Sequence, residues 1–143
     1  RPDGRVVLVD FGLVKLWDPS DPRTRTQVRG MGTPEYAPPE QYEISMGHTD
    51  ARSDIYGLGA TLYHALAGEA PPTATLRMAA PEEFKPLGAL TADISPRTDA
   101  AITKALELAR TERWQGAEEM ANALGVSIPF WGEDQTVAHA VST

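Results

Sequence analysis

Apolar positions recur along the middle of the chain at helical steps. Ile55, Leu58, Leu62 and Leu66 follow one another at three- and four-residue intervals, so residues from about Ala51 to Leu66 are expected to form a helix with that stripe turned to a core. Gly57 and Gly59 weaken the intrinsic preference of this segment, which implies a close packing partner. Gly68 supplies a stop, and Pro71-Pro72 block any continuation. A second helix is expected after Ser95-Pro96, serine as cap and proline at the first helical position, with Ala101, Ile102, Ala105, Leu106 and Ala109 as its apolar face. A third is expected over about Ala117–Leu124, with Ala117, Met120, Ala121 and Leu124 on one side and Gly116 and Glu119 at its start. Shorter helices are expected at Pro38–Tyr42 and near Thr75–Ala80, with a loop at 43–50 around Gly47. The β-signal is Val6-Val7-Leu8-Val9, entered from an Asp3-Gly4 turn and ending at Asp10. The pattern therefore predicts a mainly α fold with a short β-segment at the N-terminus. Trp17–Thr26, polar and proline-rich, reads as a long exposed loop.

Composition narrows the function. The 143 residues carry a net charge of -7, which disfavours non-specific nucleic-acid binding, since that requires phosphate neutralisation. The absence of cysteine excludes disulfides and thiolate metal sites. No apolar run approaches the roughly 18 residues of a membrane helix. His48, His64 and His139 have no metal-ligand spacing.

Two motifs carry candidate chemistry. Asp10-Phe11-Gly12 puts a carboxylate at a strand end, where it could ligate a hard cation. Gly32-Thr33-Pro34-Glu35-Tyr36-Ala37-Pro38-Pro39-Glu40 is a turn-rich segment running into a short helix. With Ser53-Asp54-Ile55-Tyr56-Gly57-Leu58-Gly59 and the stretch around Arg113, their order resembles the C-terminal lobe of protein kinases, especially bacterial serine/threonine kinases of the eukaryotic type. The resemblance covers roughly residues 3–124, so residues 1–124 are expected to be a partial kinase domain and 125–143 a C-terminal tail.

The resemblance implies residue roles. Asp10 would hold Mg²⁺ against the phosphates of ATP, with Phe11 packing beneath the neighbouring lobe and Gly12 allowing a sharp turn. Thr33 would hydrogen-bond the catalytic groups and favour serine or threonine acceptors. Glu40 would form a buried ion pair with Arg113, 73 residues away, tying the docking loop to the helices. Arg110 is a rival partner; Arg113 is preferred because an aromatic residue and a short helix follow it. Asp54 would brace the catalytic loop, although a first-turn aspartate also suits a helix N-terminus by itself. Thr24 and Thr26, beside Arg23, Arg25 and Arg29, are candidate phosphorylation sites or simply part of a polar loop.

The remaining parts of such an enzyme have no counterpart in the sequence: the glycine-rich loop, the strand lysine with its helix glutamate, and the catalytic-loop aspartate and asparagine. The polar start at Arg1 and a strand with almost nothing to pair with predict that the N-terminal lobe is missing. The leading expectation is a fragment of an ATP-dependent serine/threonine kinase acting on protein hydroxyls, inactive alone. The alternative is a non-catalytic, pseudokinase-like remnant that binds a partner. An unrelated helical scaffold would be favoured if Glu40 and Arg113 proved distant. The resemblance implies a cytoplasmic location and leaves a membrane anchor elsewhere in a parent protein open.

Overall fold

The computed structural model describes residues 33–127; the expected strand at Val6–Val9, the Asp10-Phe11-Gly12 triplet, the loop at Trp17–Thr26 and the tail beyond Ser127 lie outside them. Among the described residues the chain is helical, with no strand. Six α-helices follow in order: α1 (Pro39–Tyr42), α2 (Ala51–Ala67), α3 (Ala74–Ala79), α4 (Leu87–Leu90), α5 (Pro96–Ala105) and α6 (Ala117–Leu124).

Local chemistry explains most of the boundaries. Asp50 caps α2, accepting from the Arg52 amide at 2.8 Å, while the Ser53 hydroxyl accepts from the Asp50 amide at 3.1 Å. Gly68, at φ 79°, ends the helix and returns its N–H to the His64 carbonyl. Ser95 caps α5 by accepting from Thr98, with Pro96 in the first turn. The expected loop at 43–50 contains a 3₁₀ turn, Ile44–Met46. The segment 73–94 holds more helix than periodicity suggests, because α4 starts where Asp99 of α5 accepts from the Leu87 amide at 2.9 Å. At α6, Glu119 accepts from the amide of Gln115 rather than from Gly116.

The core lies between α2 and α5. Tyr56, Ala60 and Tyr63 of α2 meet Ile102 and Leu106, with Leu87 closing one end. Ile55, Ala105 and Met120 form a second cluster that joins α6. Burying each larger side chain stabilises the fold by about 1.5–3 kcal/mol. The inward face of α2 keeps half of the expected stripe: Ile55 is buried and Leu62 packs against both clusters, whereas Leu58 and Leu66 are exposed and Tyr56, Gly59, Ala60 and Tyr63 point in. The cause is close approach. A Cβ on Gly59 would stand 2.8 Å from the Ala105 Cβ, so this face of α2 must be narrow to seat α5. On α5 the expected apolar face is buried through Leu106, whereas Ala109 is exposed.

Candidate functional site

The segment 33–40 is a short turn followed by a buried anchor. Thr33 is exposed and extended, and its carbonyl accepts from the Tyr36 amide at 3.0 Å to close the 3₁₀ turn Pro34–Tyr36. Ala37, Pro38 and Pro39 are then buried, and Pro39 opens α1. Prolines tolerate this because neither position needs a backbone donor.

Glu40 follows immediately and is buried. Its two oxygens receive Arg113 Nη1 at 2.7 Å and Nη2 at 2.9 Å, a bidentate fork. Ser53 Oγ donates to the same Oε1 at 2.8 Å. Arg113 is only 1% exposed, yet each of its guanidinium N–H groups has an acceptor. Nη1 also donates to the Arg52 carbonyl, Nη2 to the Leu108 carbonyl and Nε to the Glu107 carbonyl. The guanidinium carbon lies 5.0 Å from the Tyr56 ring centre. Burial pushes the Glu40 carboxyl up, but the hydrogen bonds from Arg113, its own backbone and Ser53 outweigh it, and Glu40 lies below its ordinary value. The pair therefore joins three segments: α1, the start of α2 and the loop after α5.

Arg110, the rival partner, goes elsewhere. Its Nη1 donates to the His48 carbonyl and to Asp50 Oδ2 at 3.2 Å, on the half-exposed rim of the α2 cap. Asp54 sits in the first turn of α2, exposed, and no hydrogen bond reaches its carboxylate among the described residues. Residual desolvation, then the like charge of Asp50, push its carboxyl up. Asp10, Phe11, Gly12, Thr24 and Thr26 lie outside the described residues. Among the described residues no group of three or more histidine, aspartate or glutamate side chains could hold a metal ion. A shallow groove lined by Pro86, Pro96, Asp99, Thr103, Lys104 and Glu107 includes no residue of the turn.

Several supporting residues were not anticipated. Ser53 was legible as a residue near a helix start, though not as a ligand of Glu40. Trp114 Nε1 donates to the Ala101 carbonyl, with Lys104 Nζ 4.4 Å from its ring centre, which fixes the loop that carries Arg113. Arg77, the one charged residue of the short helix Ala74–Ala79, gave no sign of being buried.

No protein-family model matches the sequence. Individual proteins do. The serine/threonine-protein kinase PknB of Mycolicibacterium smegmatis is 38% identical over 122 residues, 80% of this chain and 19% of that protein. PknF of Mycobacterium tuberculosis is 33% identical over 129 residues, 87% of this chain and 26% of that protein. A probable serine/threonine-protein kinase of Streptomyces coelicolor, SCO3848, is 34% identical over 124 residues, 82% and 18% respectively. Among solved structures, the apo form of PpkA-294 superposes with a TM-score of 0.56 and 33% identity, over 64% of this chain and 31% of that one. The chain is thus related in sequence and fold to the serine/threonine protein kinases. It spans between 18% and 26% of the length of the three curated relatives.

Proposed function

We propose that this chain supplies the end of the activation segment and the C-terminal-lobe helices of an ATP-dependent kinase that phosphorylates serine or threonine hydroxyls of proteins. The observation that carries the reading is the fork between Glu40 and Arg113, which anchors the turn bearing exposed Thr33 to the helical body. In the complete domain, bound Mg²⁺–ATP would supply the transferable γ-phosphoryl group and neutralise its developing charge. Asp10 would bind the ion, and Thr33 would orient the acceptor hydroxyl. The turn would position the acceptor peptide, which is most of what such catalysis asks of a protein. The acceptor's proton would pass to a carboxylate base outside these 143 residues. Alone, the chain would not transfer phosphate. The reading puts the domain on the cytoplasmic side.

A second reading is a partner-binding, non-catalytic module. It is favoured by the exposed Leu58 and Leu66 on one side of α2. Determining the mass of the native product with peptides from this region separates the two. A product of kinase-domain size or larger should phosphorylate a protein substrate, lose activity in Asp10→Asn and lose most of it in Thr33→Ala. A product near 15.5 kDa would overturn the enzyme reading in favour of the binding module.

A further inference from the structure

The buried pair fixes the C-terminal side of the docking turn. Its N-terminal side has a different tie. The Tyr36 hydroxyl and His64 Nδ1 are hydrogen-bonded, and the two rings stack with centroids 6.1 Å apart and planes 30° from parallel. Tyr36 packs its ring against the cluster of Tyr56, Ala60 and Tyr63, whereas His64 is exposed in the last turn of α2. Thr33 makes no capping bond with its own side chain. Its carbonyl is bonded to the Tyr36 amide, so its orientation follows that of Tyr36.

The geometry points to His64 as a positioning residue: by holding the Tyr36 hydroxyl, it sets how the turn Pro34–Tyr36 presents Thr33 to a protein substrate. The inference rests on the kinase reading for its consequence, and on the Tyr36–His64 contact for its cause. Among the described residues, His64 is the side chain to which the Tyr36 hydroxyl is bonded. A neutral imidazole carrying its proton on Nε2 leaves Nδ1 free to accept from the phenol. An acceptor of similar reach at position 64 should therefore substitute for it.

The test uses the full-length gene product. His64→Ala and Tyr36→Phe should each raise KM for a serine-containing peptide about five-fold, the effect of losing one ordinary hydrogen bond, with kcat and the KM for ATP little changed. His64→Asn, which restores an oxygen near the position of Nδ1, should return KM to within about two-fold. The double variant Tyr36→Phe/His64→Ala should be no worse than either single one. Equal losses in kcat, additive losses in the double variant, or no change in KM would each overturn the inference. If the product transfers no phosphate, the kinase reading fails and amide exchange in the 143-residue chain decides the contact itself. The Tyr36 and Ala37 amides, both bonded within the turn, should exchange about five-fold faster in His64→Ala and be restored in His64→Asn. Unaltered exchange would overturn the inference whatever the activity.

Discussion

Among the described residues two arginines are buried, Arg113 and Arg77, and they are held in opposite ways. Arg113 meets a carboxylate through a fork, and three carbonyls take its remaining N–H groups. Arg77, 8% exposed, has no carboxylate within ion-pair distance among the described residues. Its Nη1 donates to the Leu106 carbonyl at 2.6 Å and more weakly to Tyr56 Oη at 3.4 Å, its guanidinium carbon lies 4.1 Å from the Phe84 ring centre, and Nε has no partner. Tyr56 stands between the two, offering its ring face to Arg113 and its hydroxyl to Arg77. A buried charge can thus be held by an opposite charge or by dipoles and a ring face. The two cases answer differently to mutation, because only the first leaves a stranded ion when one partner goes.

The largest expected effect is at the pair. Arg113→Met should destabilise the chain by about 3–5 kcal/mol, because Glu40 is then buried without its cation; urea unfolding followed by helix circular dichroism reads this. Gly59→Ala should cost about 1–3 kcal/mol by the same measurement. Its Cβ would press on Ala105 and Leu106, the residue whose carbonyl Arg77 uses. Arg77→Met should change stability by no more than about 1 kcal/mol. The lost bond to Leu106 is offset by removal of a desolvated, unpartnered Nε. A loss as large as that of Arg113→Met would mean that Arg77 is held as tightly as Arg113, and the contrast would fall.

Acidity sharpens the same contrast. Glu40 ionises below its ordinary value of 4.5 in the folded chain. Its contribution is therefore fully present above that value, where both states are ionised. Below it the unfolded chain takes up a proton first, so stability is lost as pH falls through the folded value. Glu40→Gln should flatten this acid limb in a titration of the urea midpoint, leaving the part contributed by Asp50, which the Arg52 bonds also hold low against desolvation. Arg77→Met should leave the limb unchanged, since no carboxylate is paired with it among the described residues. The smallest effect is expected at the rim: Arg110→Ala should cost about 0.2–1 kcal/mol, because its pair with Asp50 is partly exposed.

The sequence made some of this legible. Caps and stops placed both ends of α2 and α6 and the start of α5 to within a residue or two, because Gly68, Ser95-Pro96 and Gly116 act through local geometry, whereas α5 ends at Ala105, short of the expected face through Ala109. Half of the expected stripe on α2 faces the core, Ile55 and Leu62, and half does not. Leucines at helical spacing suggest a stripe, but the helix approaches α5 over Gly59 and Ala60, and the bulkier Leu58 and Leu66 fall on the far side. Helix α4 depends on Asp99 from another element, and such a start has no local signature. The union of Glu40 with Arg113 was anticipated only through the family resemblance, since spacing alone cannot join residues 73 apart. Arg77 was invisible because an arginine beside Leu76 and Met78, both exposed, looks like a surface residue.

A double-mutant cycle on Glu40 and Arg113 tests the central claim, that this pair locks the segment 33–40 to the helical body. Glu40→Ala, Arg113→Ala and the double variant would be compared by urea unfolding. The account predicts a coupling above about 2 kcal/mol, with the double variant no less stable than Arg113→Ala alone. Additive losses, with a coupling below about 0.5 kcal/mol, would contradict it.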